Sequence, residues 1–292
     1  MRAPLDADRV ARLIVDVSDR LIWPRFRRLR ADEIEQKAPG DLVTIADREA
    51  EDAIAAVLRA EDPDALVLGE EAIAADPALL AGLDAPGRIW LVDPVDGTGN
   101  FAAGHPDFGT MLVELESGRP RRSWIWQAGR RRMVQASAGE GVLVADVSGG
   151  SDLVQTTAGG GVRIDGRPLA APHPRRPLLV GGVTPEYAAI AGSGLAPAWP
   201  MTGSCTADYP LIALGERDYL VHNGRHPWDH FPGICLLGEL GGVVRFADGE
   251  PYRPRSDNPH RLIAARSTEV WDAVAAAALE LHPSGMADGT PQ

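Results

Sequence analysis

The stretch WLVDPVDGTGNF, Trp90 to Phe101, begins as a buried strand and ends as something else. Trp90, Leu91 and Val92 form an apolar run that stops at Asp93. Pro94 and a second carboxylate, Asp96, follow, then Gly97 and Thr98. Two like charges in one small turn repel each other, and they stay ionised together only if a cation sits among them. Oxygen-only ligands suit a hard ion such as Mg2+, which keeps waters and shares its shell with phosphate. Pro94 fixes the turn. Gly97 and Thr98 then open a helix whose free N–H groups face an anion, with Gly97 permitting close approach. The turn is expected to hold a metal with side chains and a phosphate with backbone. Taken alone, D-P-x-D-G also describes an ordinary solvated turn.

Other acidic features lie outward from this one. ALVLGEE places Glu70 at the end of another short strand. A strand end is a rigid mount, and the loop beyond it gives access to solvent. PWDHFPGICLLGELGG places Asp229 at a helix start, where an isolated aspartate reads as an N-cap. His222, His226 and His230 cluster nearby. They read as exposed or structural histidines rather than zinc ligands, on the expectation that no H-x-x-x-H pair or cysteine accompanies them at ligand spacing on one helix.

The 292 residues, 45% hydrophobic and 24% charged, describe an ordinary globular chain. The net charge of −12 argues against nucleic acid as a partner, since phosphate backbones attract basic surfaces. It leaves a small anionic substrate open, because a bound cation reverses the local field. Cys205 and Cys235 read as small buried hydrophobes with no disulfide framework. MRAPLDADRV lacks an apolar signal region, and no segment approaches a membrane span. The expectation is a cytoplasmic protein with no membrane partner.

Val10, Leu13, Ile14, Val17 and Leu21 recur at helical spacing behind a capping Asp6. A second helix is expected from about Asp47, and a short one in DPALLAGL. RIWLVD, FGTMLVELE, RSWIWQ, RMVQAS and EGVLVA read as closely spaced strands of an antiparallel sheet. Asp165-Gly166 signals a hairpin. Beyond it, PLLVGGV, YLVHN, GGVVRF and RLIAA alternate with helices over about 206–214, 229–240 and 268–281. This alternation indicates layered sheets and helices. The organisation expected is one catalytic domain over 1–282, in halves of about 1–150 and 151–282. A boundary is expected near 148–161, and a disordered tail is expected over 283–292.

Five pieces occur together in order: DLVTIAD (41–47), GEE (69–71), WLVDPVDGTGNF with GHPDFGTML after it, GSCTAD (203–208) and PWDHFPGICLLGELGG (227–242). The set resembles the inositol monophosphatase family of Mg2+-dependent, lithium-sensitive phosphatases, over nearly the whole chain. The resemblance implies a layered α-β-α-β-α sandwich, a hydrolase of phosphoric monoesters, a homodimer, and two or three Mg2+ per site. It implies that Glu70, Asp93 and the Val95 carbonyl hold one Mg2+, and that Asp93, Asp96 and Asp229 hold another. Gly97 and Thr98 would give backbone donors to phosphate, with Asp96 and Asp229 also near substrate. Asp47, Glu70 and Thr98 would orient and activate the attacking water. The implied substrate is a small phosphorylated metabolite: inositol phosphate, histidinol phosphate or a similar polyol or sugar monophosphate.

The sequence departs from the family's pattern in three places. Phe231-Pro232 replaces the small residue usual before the late glycine, and proline is tolerated in a first helical turn. PAWPMTGS lacks a basic residue often found before the GS pair. His222 stands where inositol-specific members present a glutamate to substrate hydroxyls, and histidine is bulkier and can be cationic. The competing expectation is a non-catalytic regulatory or binding protein on the same fold. All of Asp47, Glu70, Asp93, Asp96 and Asp229 are kept, which favours catalysis.

Overall fold

The computed structural model describes residues 5–38, 40–147, 178–190, 194–254 and 258–282. Helix α1 (Ala7–Val17) starts at Asp6, whose Oδ1 accepts from the N–H groups of Asp8 and Arg9. A hairpin of β1 (Ile34–Ala38) and β2 (Asp41–Thr44) leads into α2 (Ile45–Glu61). This helix starts two residues before the expected Asp47, because Thr44 and Asp47 form a capping box across its first turn. Next come β3 (Leu66–Gly69), α3 (Glu70–Ala75) and a 3-10 segment, Pro77–Asp84, where a short helix was expected.

Strand β4 (Arg88–Asp96) and α4 (Thr98–Ala103) carry the opening motif. Strands β5 (Gly109–Glu116), β6 (Arg119–Gln127), β7 (Arg132–Ser137) and β8 (Gly141–Asp146) follow. The later elements are β9 (Gly181–Val183), β10 (Trp199–Pro200), α5 (Cys205–Ala213), β11 (Tyr219–His222) and α6 (Pro227–Glu239). The chain then forms β12 (Val243–Phe246), β13 (Leu262–Ala265) and α7 (Thr268–Leu281). The Asp165-Gly166 hairpin, the boundary near 148–161 and the tail 283–292 lie outside the described residues.

One sheet has the order β3-β4-β5-β6-β7-β8, the other β10-β9-β11-β13-β12. In the first, β3 and β4 are parallel and the remaining pairs antiparallel. One face of it, through Trp90, Val92, Trp124 and Trp126, packs on Val10 and Ile14 of α1 and Ile54 and Leu58 of α2. The opposite face, through Met111, Ile125 and Val134, packs on Tyr209 of α5 and Leu236 of α6, which also meet Leu220 and Ala264 of the second sheet. The far side of that sheet packs on Trp271 and Val274 of α7. The result is the expected α-β-α-β-α sandwich. With helices on both faces, β4 is buried along nearly its whole length, so its sequence runs apolar rather than alternating.

Large indoles are buried cheaply only when their N–H groups find acceptors. Trp90 donates to Asp62 Oδ2 at 3.0 Å, Trp124 to the Ala7 carbonyl at 3.1 Å and Trp126 to Ser18 Oγ at 3.0 Å. These bonds fix α1 and α2 on the sheet that carries β4.

Candidate active site

Residues three apart on a regular strand point to opposite faces. Asp93 and Asp96 escape this rule through a bulge. Asp93 pairs with Met111 and Asp96 with Gly109, so Pro94 and Val95 stand against Thr110 alone. The extra residue brings both carboxylates to one side, where one oxygen from each lies within 4.8 Å of an oxygen of Asp229. The two aspartates therefore belong to a bulged strand end, and the expected turn comes only at Gly97.

Asp96 sits on the N-terminus of α5. Its Oδ1 accepts from Cys205 N–H at 3.1 Å, and its Oδ2 from Thr206 N–H at 2.6 Å and from the Ser204 hydroxyl. Burial pushes its carboxyl up, and these donors oppose the shift. Asp93 has no comparable set of donors among the described residues. Burial raises its carboxyl well above the ordinary range, and the charges of Glu70, Asp96 and Asp229 raise it further. Its Oδ1 is buried with no hydrogen-bond partner among the described residues.

Asp229 is raised well above its ordinary value by burial and then by Asp96 and Glu70. It is not an N-cap. His226 caps α6, Pro227 opens the helix, and Asp229 is its third residue, free to point at the cluster. Pro232 accordingly lies beyond the first turn, inside α6, where it removes an internal hydrogen bond, and the helix still continues to Glu239.

Parallel pairing of Gly69 with Val92 sets Glu70 beside Asp93 in register. Gly69 lies against the Glu51 carboxyl: a Cβ there would stand 2.0 Å from its carboxyl carbon and displace that side chain. Glu51 accepts from the N–H groups of Glu71 and Ala72 at 2.8 and 2.9 Å, holding the start of α3. Burial raises the Glu70 carboxyl to about 7, against the opposing pull of Lys37. Lys37 lies where the β1–β2 register slips, and its Nζ reaches Glu70 and Glu71 at 2.9 Å each.

Asp47 accepts from the Thr44 N–H at 2.8 Å and from the Thr98 hydroxyl at 3.0 Å. Burial raises it to about 6, with the Thr44 bonds opposing. The Thr98 hydroxyl also lies 2.9 Å from the Val95 carbonyl oxygen. Gly97 is left-handed at φ 79°, and a Cβ on it would meet Ser204 Cβ at 2.9 Å and the Asp107 carbonyl oxygen at 3.0 Å. Asn100 of α4 donates to the carbonyls of Asp107 and Thr202 at 2.7 and 2.9 Å, tying GTGNF to the two neighbouring motifs.

The model of the inositol monophosphatase family matches residues 9–284. The chain belongs to this family. It is 31% identical to an inositol-1-monophosphatase of Mesorhizobium japonicum over 228 residues, 77% of this chain and 79% of that one. It is 29% identical to the Nus factor SuhB of Escherichia coli over 235 residues, 80% of this chain and 82% of that one. The fold matches that of a Thermotoga maritima IMPase with a TM-score of 0.72 at 23% identity, covering 94% of this chain and 98% of that one. Among the described residues, no helix is long and apolar enough to cross a membrane.

In this member of the inositol monophosphatase family, several residues given no role from the sequence support the site. Ser204 and Thr206 hold Asp96, Lys37 faces Glu70, and Glu51 fixes the backbone after Gly69. Only Ser204 left a signal, as a helix-capping type before α5. His222 lies at the end of β11, buried and stacked on Tyr209 with ring centroids 5.3 Å apart. Burial, then Arg217, lowers it to about 3, so it is neutral and not the cation that was considered possible. His230 is buried as well, so neither ring is exposed. A cysteine does accompany them, but from a different helix: one ligand atom each of Cys205, His222 and His230 lies within 4.8 Å of the others.

Proposed function

We propose that this chain is a Mg2+-dependent phosphomonoesterase acting on a small phosphorylated metabolite, an inositol phosphate, histidinol phosphate or similar polyol or sugar monophosphate. The observation that supports it is the convergence of Asp93, Asp96 and Asp229 within 4.8 Å, with Asp93 Oδ1 buried and without a partner among the described residues. An all-oxygen donor set with an orphaned carboxylate oxygen fits a hard divalent cation. Glu70, Asp93 and the Val95 carbonyl would hold one Mg2+, and Asp93, Asp96 and Asp229 another. When bound, such ions lower the pKa of water and stabilise charge on the attacking and leaving oxygens.

The chain supplies orientation and proton handling. The N-terminus of α5 holds Asp96 in one rotamer. Backbone N–H groups of Gly97 and Thr98 receive phosphate oxygens, and glycine at 97 lets the backbone approach. The Thr98 hydroxyl donates to Asp47 and keeps a lone pair for the attacking water. Asp47, which is not among the metal ligands and is raised to about 6 by burial, is suited to accept the proton that water gives up near neutral pH, with Glu70 orienting that water.

Neutral His222 offers substrate hydroxyls one acceptor nitrogen where a glutamate offers two oxygens. Inositol 1-phosphate is therefore a weak substrate, and another phosphomonoester is preferred. A homodimer is the expected assembly, since two-fold pairing is the commonest symmetry; light scattering at the monomer mass would count against it. The relatives named Nus factor support a competing reading, a binding protein on the same fold. A panel of phosphorylated metabolites scored for phosphate release in Mg2+ separates the two. Release from at least one sugar or polyol monophosphate is expected, and no release from any would favour the binding role.

A further inference from the structure

Beside the oxygen cluster lies a second group with different donors. Cys205 is the first residue of α5, His222 ends β11, and His230 is in α6, one residue after Asp229. One sulfur and one ring nitrogen from each histidine lie within 4.8 Å of one another. All three residues are buried, at 6%, 4% and 1% exposure. The Nε2 atoms of both His222 and His230 have no hydrogen-bond partner among the described residues. Two buried orphan nitrogens in one place are costly unless something ligates them.

The surroundings match those of a metal-binding imidazole. His230 Nδ1 lies 2.9 Å from the Tyr209 hydroxyl, which fixes the ring and can hold the proton on Nδ1, leaving Nε2 as a lone pair. Tyr209 also stacks on His222 at 13° between ring planes, so one tyrosine orients both rings. The Tyr252 hydroxyl is also buried without a partner among the described residues, with its ring centroid 5.5 Å from that of His230.

We propose that Cys205, His222 and His230 bind one borderline-soft divalent ion of the Zn2+ class, through the thiolate sulfur and two neutral imidazole nitrogens. Binding releases the Cys205 thiol proton to solvent, as a cysteine ligand requires. The two clusters sort by donor type. Thiolate and imidazole select zinc-class ions, whereas carboxylate and carbonyl oxygen select Mg2+. Cys205 joins the two, since its backbone N–H donates to Asp96 while its sulfur serves the other ion. The site uses none of the acidic ligands, but an ion there would take up the single acceptor nitrogen that His222 otherwise offers to substrate.

Co2+ in place of Zn2+ makes the test spectroscopic. Purified full-length protein, stripped of metal and kept in excess Mg2+ to fill the oxygen cluster, is titrated with Co2+. The expected result is one equivalent bound with thiolate-to-cobalt charge-transfer absorption, displaced by Zn2+. Cys205→Ser should lose that absorption and Cys235→Ser should keep it. Tyr209→Phe, which keeps the ring, should weaken Zn2+ binding by about 10–100-fold, as loss of an outer hydrogen bond does. Absence of charge transfer in the wild-type protein would overturn the site even if a variant failed to fold. Absorption that persists in Cys205→Ser, or Co2+ fully displaced by Mg2+, would overturn it as well.

Discussion

The Thr98 hydroxyl donates to Asp47 Oδ1 at 3.0 Å, joining the first residue of α4 to the third residue of α2. Two helices more than fifty positions apart in sequence are thereby joined by one hydrogen bond. If the pair acts as a unit on water, losing either partner removes the same effect. Thr98→Val and Asp47→Asn should each lower kcat by about 10²-fold or more, a typical acid–base contribution, with KM little changed. The double variant should lose no more than the worse single one. Steady-state kinetics on the best substrate decides it, and additive losses would show separate roles.

Gly97 links strand geometry to phosphate binding. An alanine there must adopt a left-handed φ of 79° while its Cβ meets Ser204 at 2.9 Å. Gly97→Ala should lower stability by about 1–3 kcal/mol, the usual magnitude for such strain. Because Ser204 also holds Asp96, activity should fall with it. Denaturant unfolding reads the first effect, and unchanged stability would mean that the α4–α5 contact yields freely.

The raised carboxyls set a pH dependence for the metal-free protein. Asp47 and Glu70 stand at about 6 and about 7 folded, against ordinary values of 3.8 and 4.5. The folded state therefore binds protons more tightly than the unfolded one. Their contribution to stability is full below about pH 4 and is lost as pH rises through about 7. Thermal melts in chelator should fall between about pH 6.5 and pH 8, above the range where the lowered values of His222, His226 and His230 act in the opposite sense, and Mg2+ should flatten that fall. A melting temperature that rises with pH in chelator over that range would contradict the assignment.

His222 tests substrate choice. It is held neutral by burial, so changing it to glutamate restores two acceptor oxygens. His222→Glu should shift kcat/KM toward inositol 1-phosphate by about tenfold relative to the best wild-type substrate, the value of one good hydrogen bond. Wild-type activity on inositol 1-phosphate equal to that best substrate would end the argument.

Much of this was legible in the chain because strand ends and acidic residues are local signals. The apolar run before Asp93, the alternation of the later strands and α7 at Thr268–Leu281 follow from periodicity alone. What depends on contacts between distant segments was not legible. Asp229 reads as a cap locally, yet Pro227 and His226 begin the helix earlier and turn it toward the cluster. The bulge that puts Asp93 and Asp96 on one side is set by pairing with β5, which Pro94 alone does not reveal. Cys205, His222 and His230 come from a helix, a strand and another helix, so no spacing on one element announces them. His226 and His230 do stand four apart, but His226 caps α6 and lies outside the three-residue group.

The proposed metal site turns on Asp93, which is crowded by carboxylates and whose Oδ1 has no partner among the described residues. The most direct measurement is phosphate release by the purified protein in chelator, then after Mg2+ is restored, for wild type and Asp93→Asn. The wild type should be inactive in chelator and recover fully with Mg2+. The variant should stay folded yet turn over at least about 10²-fold more slowly, the usual consequence of losing a site's central electrostatic element. Undiminished release in chelator, or near-normal turnover by Asp93→Asn, would contradict the account.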